Sequence, residues 1–111
     1  MINSKNKGTA YELKIMHELR EMGFYECVTS RSESRTKDNQ KVDLCYTDPF
    51  NIQCKAVERM TKSYHKILKE MPRDTNYNLI FHKKNREGET VTMGKEDFYE
   101  IMKMLIHNGI V

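Results

Sequence analysis

The chain lacks a membrane-spanning segment, a secretory signal and a phosphate-binding loop for a nucleotide cofactor. No apolar run approaches the roughly 20 residues that a membrane-spanning helix needs. Residues 1–7 contain no apolar stretch of the kind that a secretory signal has. A phosphate-cradling G-x-x-x-x-G-K-[ST] loop is absent. We therefore expect a cytoplasmic protein with no membrane contact and no small-molecule cofactor.

Cysteine and histidine are too few and too scattered for a disulfide framework or a structural zinc site. The three cysteines, Cys27, Cys45 and Cys54, show no C-x-x-C spacing. The last two are expected on opposite faces of neighbouring strands, which argues against a bridge between them. The four histidines have no zinc-ligand spacing. The sequence therefore predicts three free, buried thiols in a reducing cytosol.

Length and charge are compatible with a small nucleic-acid-binding protein. The 111 residues suit one domain that covers residues 1–111. Charged residues make up 32% of the chain, and the formal net charge is +3 at pH 7. Such a mild basic excess permits contact with nucleic acid but does not by itself require it.

Hydrophobic periodicity predicts an α/β domain with the element order αβββαββα. Helices are indicated where apolar residues recur every three or four positions, and strands where they alternate. The predicted helices cover 9–22, 61–72 and a segment after Gly94, and the predicted strands cover 24–29, 41–47, 51–57, 77–82 and 89–93. Gly23 and Gly109 mark helix ends. The polar segment 30–40 is expected to be a mobile loop.

Two neighbouring predicted strands carry polar side chains where a purely structural strand would not. The link 47–51 contains Asp-Pro, which favours a turn. If the strands pair antiparallel around it, Asp43 lies across from Gln53 or Lys55, and opposed residues share a face. A carboxylate, an amide and an ammonium then lie together, which predicts a site for a metal ion and a phosphate.

Glu12 is the next candidate, and two interpretations of it are open. At about 100° per residue its side chain falls within the apolar arc of the first helix, near Met16 and Leu19. A carboxylate directed at a core is costly unless something compensates it. The alternative is a capping box in which Glu12 is the N3 partner of Thr9. Both roles are compatible if the first turn lies at the edge of the sheet.

Basic residues near these positions suggest a path for DNA. The candidates precede the first helix or bracket the predicted loop: Lys5, Lys7, Arg31, Arg35, Lys37 and Lys41. Each phosphate that such cations neutralise contributes roughly one unit to the salt dependence of binding. The basic residues Lys62, Lys66 and Lys69 are expected instead to form an ordinary solvated face of the second helix.

Taken together, these motifs resemble the PD-(D/E)xK nuclease superfamily, and within it the archaeal-type Holliday-junction resolvases. The resemblance covers about residues 5–60. It is carried by Lys7 and Gly8 ahead of Glu12, by residues 31–34 after the first strand, by residues 42–44 and by residues 53–55. It implies a restriction-endonuclease-like central mixed β-sheet flanked by helices, metal-dependent cleavage of branched four-way DNA junctions, and a homodimer.

The resemblance also implies roles for individual residues. Glu12, Asp43, Gln53 and Lys55 would form the catalytic site. Asp43, Gln53, the backbone carbonyl of Cys54 and Glu12 would hold Mg²⁺, for which Mn²⁺ is an expected substitute. Arg31 and Ser32 or Ser34 would contact phosphates from the loop after the first strand.

Gln53 departs from the usual pattern of the superfamily, which has an acid at this position. A glutamine here is typical of Mrr-like restriction endonucleases, which the segment also resembles. Its carbonyl oxygen is still a ligand for Mg²⁺, but it lowers the negative charge of the site. Two alternatives therefore accompany the resolvase prediction: an Mrr-like endonuclease that acts on duplex DNA, and a nuclease-derived DNA-binding module that does not cleave.

Overall fold

The fold is α/β, with five helices and five strands in the part of the chain that the structure describes. The computed structural model describes residues 4–33 and 35–111. The elements are α1 (Ser4–Met22), β1 (Val28–Thr29), α2 (Ser30–Glu33), α3 (Arg35–Asn39), β2 (Leu44–Cys45), β3 (Phe50–Ala56), α4 (Tyr64–Glu70), β4 (Tyr77–Lys84), β5 (Gly88–Thr92) and α5 (Lys95–His107). The predicted order of the major elements is present, with two short helices inserted after β1.

The strands form two sheets, so the expectation of one central sheet is not met. The larger sheet has the order β3-β4-β5 and is mixed, because β4 runs parallel to β3 and antiparallel to β5. The register sets Gln53 beside Ile80 and Lys55 beside His82. The smaller sheet pairs β1 with β2 in antiparallel fashion. One edge of β3 is consequently left outside the three-stranded ladder.

Helices cover both faces of the larger sheet. On one face, Ile15 and Leu19 of α1 pack with Ile52 and Cys54 of β3 in the main apolar cluster. On the other face, Ile67 of α4 packs on β4 in a smaller cluster. Because side chains alternate along a strand, the residues between those that meet α1, Gln53 and Lys55, point towards the α4 side.

The predicted start of the first helix is wrong, and with it the capping box. The helix begins at Ser4 rather than near residue 9, so Thr9 lies inside it and is not an N-cap. Lys7 also belongs to α1 instead of preceding it. The predicted end is confirmed: Gly23 has a φ of 129°, and Phe24 N–H donates to the Leu19 carbonyl at 3.0 Å across the helix end. Gly109, with a φ of 70°, ends α5 in the predicted way.

The polar segment after β1 is helical rather than a mobile loop. It forms α2 and α3, and Ser30 anchors it because its buried hydroxyl donates to the Val42 carbonyl. The Ser30 N–H also donates to the Asp43 carbonyl at 2.8 Å. These two bonds hold the segment against the residues that lead into β2.

The predicted hairpin is also wrong, because the second and third strands do not pair with each other in a ladder. β2 covers only two residues and pairs with β1, while β3 takes its ladder partner from β4, far away in sequence. A single backbone bond, from Asp43 N–H to the Ile52 carbonyl at 2.8 Å, joins the two predicted hairpin strands. The first predicted strand is shorter than expected, because residues 24–27 form turns.

No helix in residues 4–33 and 35–111 has both the length and the apolar character that crossing a bilayer requires. All three cysteines are buried and free, as predicted.

Candidate active site

The predicted catalytic residues converge at the free edge of β3. A cavity of about 460 Å³ opens there. Its lining includes Glu12 from α1, Asp43 from the segment before β2, and Gln53, Cys54 and Lys55 from β3. Three separate parts of the chain therefore supply the polar groups, although the hairpin that was expected to align them is absent.

Asp43 is fixed to the edge of β3 by its own side chain. Its carboxylate oxygen Oδ2 accepts a hydrogen bond from the Cys54 N–H at 2.7 Å, which replaces a ladder bond. The second oxygen, Oδ1, does not take part in this bond. Burial raises the pKa of Asp43, while the Cys54 N–H and the charge of Lys55 act in the opposite direction. The carboxylate is thus held in place with one oxygen left for a ligand.

Gln53 provides a buried acceptor without a partner. The residue is 7% exposed, and its side-chain oxygen Oε1 is one of two buried side-chain polar atoms that lack a hydrogen-bond partner among the described residues. An unsatisfied buried acceptor costs about 1–3 kcal/mol, and natural proteins contain few of them. An amide oxygen in this state, on the wall of a polar cavity, is suited to bind a cation or a donor.

Glu12 is buried at the cavity and is held by Arg31. Its Oε2 accepts from Arg31 Nη2 at 2.9 Å, and the same guanidinium donates to Thr9 Oγ1 at 3.0 Å. Burial, followed by the negative charge of Asp43, raises the pKa of Glu12 to about 7, although Arg31 acts to lower it. The carboxylate is therefore partly protonated near neutral pH and ionises readily when positive charge is added.

Lys55 is half-buried in the cavity wall, and the end of its strand is braced by His82, its register neighbour. His82 Nε2 lies 2.8 Å from the Val57 carbonyl, and Nδ1 lies 2.8 Å from the Tyr64 hydroxyl. A carbonyl can only accept, so Nε2 carries a proton and donates to Val57, while Nδ1 pairs with the Tyr64 hydroxyl. This bridge ties β3 and β4 to α4. Sequence reasoning did not identify His82, whose position in a strand gave no signal.

The available donors fit a hard cation such as Mg²⁺. In a strand, the N–H and C=O of one residue point to the same edge, so the Cys54 carbonyl lies on the edge where its N–H meets Asp43. All candidate donors are oxygen atoms, as Mg²⁺ prefers. No group of three His, Cys, Asp or Glu side chains with metal-binding geometry occurs within the described residues. The set contains two carboxylates and two neutral oxygens, so water would have to complete the shell.

The predicted DNA-binding residues are only partly gathered at the cavity. Lys41 lines it, and Arg31 reaches it through Glu12. Lys7 instead pairs with Glu58 at 3.2 Å, and Ser32 makes local bonds with Thr29. Arg35 is exposed and Lys37 is half-buried on α3. Ser34 and the side chain of Lys5 lie outside the described part of the chain.

The link between β3 and α4 forms a wall of the cavity that sequence reasoning did not assign to the site. Arg59, Thr61 and Lys62 line this wall. Lys62 lies before α4 and pairs with Glu70 at 2.9 Å, so its expected place on the solvated face of a helix is wrong. The sequence contained a signal for their place in the site, because these residues directly follow the strand that carries Gln53 and Lys55.

Comparison of the chain with protein-family models, with curated proteins and with solved structures found no match.

Proposed function

We propose that the protein is a Mg²⁺-dependent DNA endonuclease of the Holliday-junction resolvase type, built on a restriction-endonuclease-like fold. The observation that supports this most strongly is the unpartnered Oε1 of Gln53 in a cavity that Glu12, Asp43 and Lys55 also line. A cation ligand accounts for the buried amide oxygen, and a phosphate accounts for the lysine beside it. The resemblance of the motifs supplies the substrate class.

The cation would be held by Asp43, the Gln53 side-chain oxygen and the Cys54 carbonyl, with Glu12 binding directly or through water. When bound, Mg²⁺ would supply Lewis-acid activation of the scissile phosphate and of a water nucleophile. The Cys54 N–H keeps the Asp43 carboxylate oriented towards this set. Glu12 would exchange part of its pairing with Arg31 for the cation, and would lose its proton in doing so.

Lys55 would orient the attacking water and offset the negative charge that develops on the phosphate. Lys55 lines the same cavity as the proposed cation ligands. A preorganised charge in a partly dehydrated site stabilises a transition state more than the same charge does in water. The superfamily resemblance implies that cleavage leaves a 5′-phosphate.

Phosphates on either side of the cut would meet the cations around the cavity. Lys41 and Arg59 line it, and Arg31, which pairs with Glu12 of the cavity wall, would transfer from Glu12 to a phosphate. With a few such contacts, the logarithm of the affinity should fall by about 0.9 per contact for each tenfold rise in salt. A homodimer in the cytoplasm, acting on two strands of a four-way junction, completes the proposal, because a two-fold axis matches a symmetric pair of cuts.

The amide at Gln53 favours two alternatives. One is an Mrr-like endonuclease on duplex DNA, and the other is a DNA-binding module without cleavage activity. Both start from the same cavity, but they differ in the substrate and in the requirement for a metal.

A cleavage assay separates these functions. Labelled four-way junction and matched linear duplex would be incubated with the protein in Mg²⁺, in Mn²⁺ or in EDTA. We expect symmetric nicks in the junction that require metal. Asp43→Asn should abolish cleavage and leave junction binding intact, whereas Asp48→Asn, at an exposed aspartate, should cleave normally. Cutting of duplex alone would favour the Mrr-like function, and binding without cleavage in either metal would leave the non-catalytic module.

A further inference from the structure

The link between β3 and α4 is a loop whose two ends are joined by one side chain. The loop covers residues 58–63, between Val57, which follows β3, and Tyr64, which is the first residue of α4. His82 of β4 bonds to both of these flanking residues. Its Nε2 donates to the Val57 carbonyl at 2.8 Å, and its Nδ1 pairs with the Tyr64 hydroxyl at 2.8 Å. A single imidazole therefore holds the ends of the 58–63 loop together.

Further bonds fix the first and the last residue of the 58–63 loop. The carboxylate of Glu58 accepts from the Asn85 N–H at 3.0 Å and from Lys7 Nζ at 3.2 Å. Ser63 is the N-cap of α4, because its hydroxyl accepts a backbone N–H of the first turn at 3.1 Å. A loop that is fixed before a ligand arrives loses little conformational freedom on binding.

The 58–63 loop presents one cation whose charge the described chain does not pair. Glu58 is the only acidic residue of the loop, and its carboxylate is already engaged. Lys62 pairs with Glu70 at 2.9 Å. Arg59 is exposed, and its guanidinium makes no hydrogen bond or ion pair with any other of the described residues. Arg59 is therefore available to an anionic ligand.

The position of the 58–63 loop sets this cation beside the candidate active site. Arg59 lines the cavity of about 460 Å³ that Asp43 and Lys55 also line. It lines a second cavity as well, of about 400 Å³, to which His82 contributes. A guanidinium presents several N–H donors in a planar fork, which matches the oxygens of a phosphate. The backbone of a nucleic acid is the ligand that carries such phosphates in series.

We propose that the 58–63 loop is a phosphate-binding element, in which Arg59 contacts the nucleic-acid backbone next to the candidate active site and His82 is the positioning residue of the loop. The substrate class rests on the proposed function, but the contact itself does not require cleavage. His82 acts through the loop, because both of its ring nitrogens bond to the residues that flank it.

The salt dependence of DNA binding tests the contact. Fluorescence anisotropy of a labelled four-way junction, in EDTA so that no cleavage interferes, gives the dissociation constant at several salt concentrations. Arg59→Ala should raise it several-fold and should lower the slope of its logarithm against the logarithm of salt by about 0.9. The matched control is Arg73→Ala, at an exposed arginine that lines neither cavity, which should change neither quantity.

Two substitutions of His82 test the positioning role. The amide of a glutamine reaches about as far as Nε2 of the imidazole and can donate to Val57, whereas an asparagine reaches only as far as Nδ1. His82→Gln should therefore keep the affinity for the junction, and His82→Asn should lower it several-fold. Adding His82→Asn to Arg59→Ala should cause no further loss, since His82 acts through the loop that carries Arg59. Arg59→Ala tests the contact even where a His82 variant fails to fold.

Each outcome has a separate meaning. An unchanged dissociation constant and salt slope in Arg59→Ala would overturn the proposal, even in a protein that cleaves junctions. A glutamine variant as weak as the asparagine variant, or an additive loss in the double variant, would overturn the role of His82. Binding that depends on Arg59 without any cleavage would support the loop and count only against the proposed function. No binding of the junction by the unaltered chain would contradict both.

Discussion

At the scale of single residues, the candidate site depends on buried polar groups, the carboxylate of Glu12 and the amide oxygen of Gln53. Their burial does not stabilise the fold, so folding alone does not explain it. Glu12 was predicted within the apolar arc of its helix, and the structure places it there, 7% exposed. The alternative interpretation, a capping box, is wrong because α1 extends to Ser4 and Thr9 lies inside the helix. Arg31 is instead the hydrogen-bond partner of both Glu12 and Thr9. A local motif cannot reveal a partner that is distant in sequence, and so the alternative could be excluded only from the fold.

The raised pKa of Glu12 predicts a pH dependence of stability. The carboxyl ionises near its ordinary value of 4.5 when the chain is unfolded and near 7 when it is folded. Between these values the folded state holds the extra proton, so the free energy of unfolding should fall as pH rises from about 4.5 to about 7. Glu12→Gln should reduce this decline, with the part that the raised pKa of Asp43 contributes remaining, and should be more stable than the unaltered chain at pH 8 by about 1–2 kcal/mol.

Urea denaturation at a series of pH values checks this prediction. Glu18→Gln, at an exposed glutamate of the same helix, is the control and should follow the curve of the unaltered chain. An unchanged decline in Glu12→Gln would show that another group titrates in this range.

The unpartnered oxygen of Gln53 predicts opposite effects on stability and on cation binding. Gln53→Met keeps a similar volume and removes the buried acceptor, so the free energy of unfolding should rise by about 1 kcal/mol in the absence of metal. The same change should weaken Mn²⁺ binding at least tenfold in calorimetric titrations. If Mn²⁺ binding survives in Gln53→Met, the amide is not a ligand.

Gln53→Glu tests the same position in the other direction. An added carboxylate should tighten Mn²⁺ binding about tenfold, which corresponds to roughly 1.4 kcal/mol. Cleavage, where present, should be kept or increased. A collapse of both binding and cleavage in this variant would contradict the ligand assignment.

At the scale of elements, the strand β3 shows where reasoning from sequence succeeded and where it failed. The alternation of Ile52 and Cys54 with Gln53 and Lys55 was predicted correctly, because side-chain direction in a strand is a local property. The pairing partner was predicted wrongly, because it is decided by β4 at the other end of a helical crossover. The site formed nevertheless, since Asp43 reaches β3 through its side chain.

A network of side-chain hydrogen bonds fixes the end of this crossover, where the chain enters β4, and it was not predicted from the sequence. Asn51 is 1% exposed, and its Nδ2 donates to Asp74 Oδ1 at 3.1 Å and to Asn78 Oδ1 at 2.9 Å. Its Oδ1 accepts from Asn76 Nδ2 at 3.2 Å. The network joins the beginnings of β3 and β4, and so it sets the register that brings Gln53 and Lys55 to the cavity.

Asn51→Ala should destabilise the fold by about 2–3 kcal/mol, because it leaves several buried polar groups without partners. Urea denaturation measures the change, and Asn39→Ala at an exposed asparagine of α3 should alter it by less than about 0.5 kcal/mol. A loss below about 0.5 kcal/mol in Asn51→Ala would mean that water replaces the network.

At the scale of the whole molecule, the sequence predicted the order of the major elements but not their arrangement in space. The periodic stripe of α5 was recognisable, yet periodicity alone does not distinguish a face that packs on the core from one that is left exposed. The helices α2 and α3 were missed because they are short and polar, and tertiary bonds from Ser30 rather than an apolar stripe anchor them.

The location of the cavity follows from this arrangement. Helix α1 on one face and α4 on the other leave the outer edge of β3 open, and Asp43 and Glu12 close around that edge. The cavity lies at this edge of the sheet, whereas the two faces of the sheet lie under the helices.

The most direct measurement is an anomalous difference map from crystals of the protein grown with Mn²⁺. We predict a peak within about 2.5 Å of Asp43 Oδ1, Gln53 Oε1 and the Cys54 carbonyl oxygen, with Glu12 next to it. A map with no peak at this position, or with a peak only elsewhere on the surface, would contradict the assignment of the cation site and the nuclease function that depends on it.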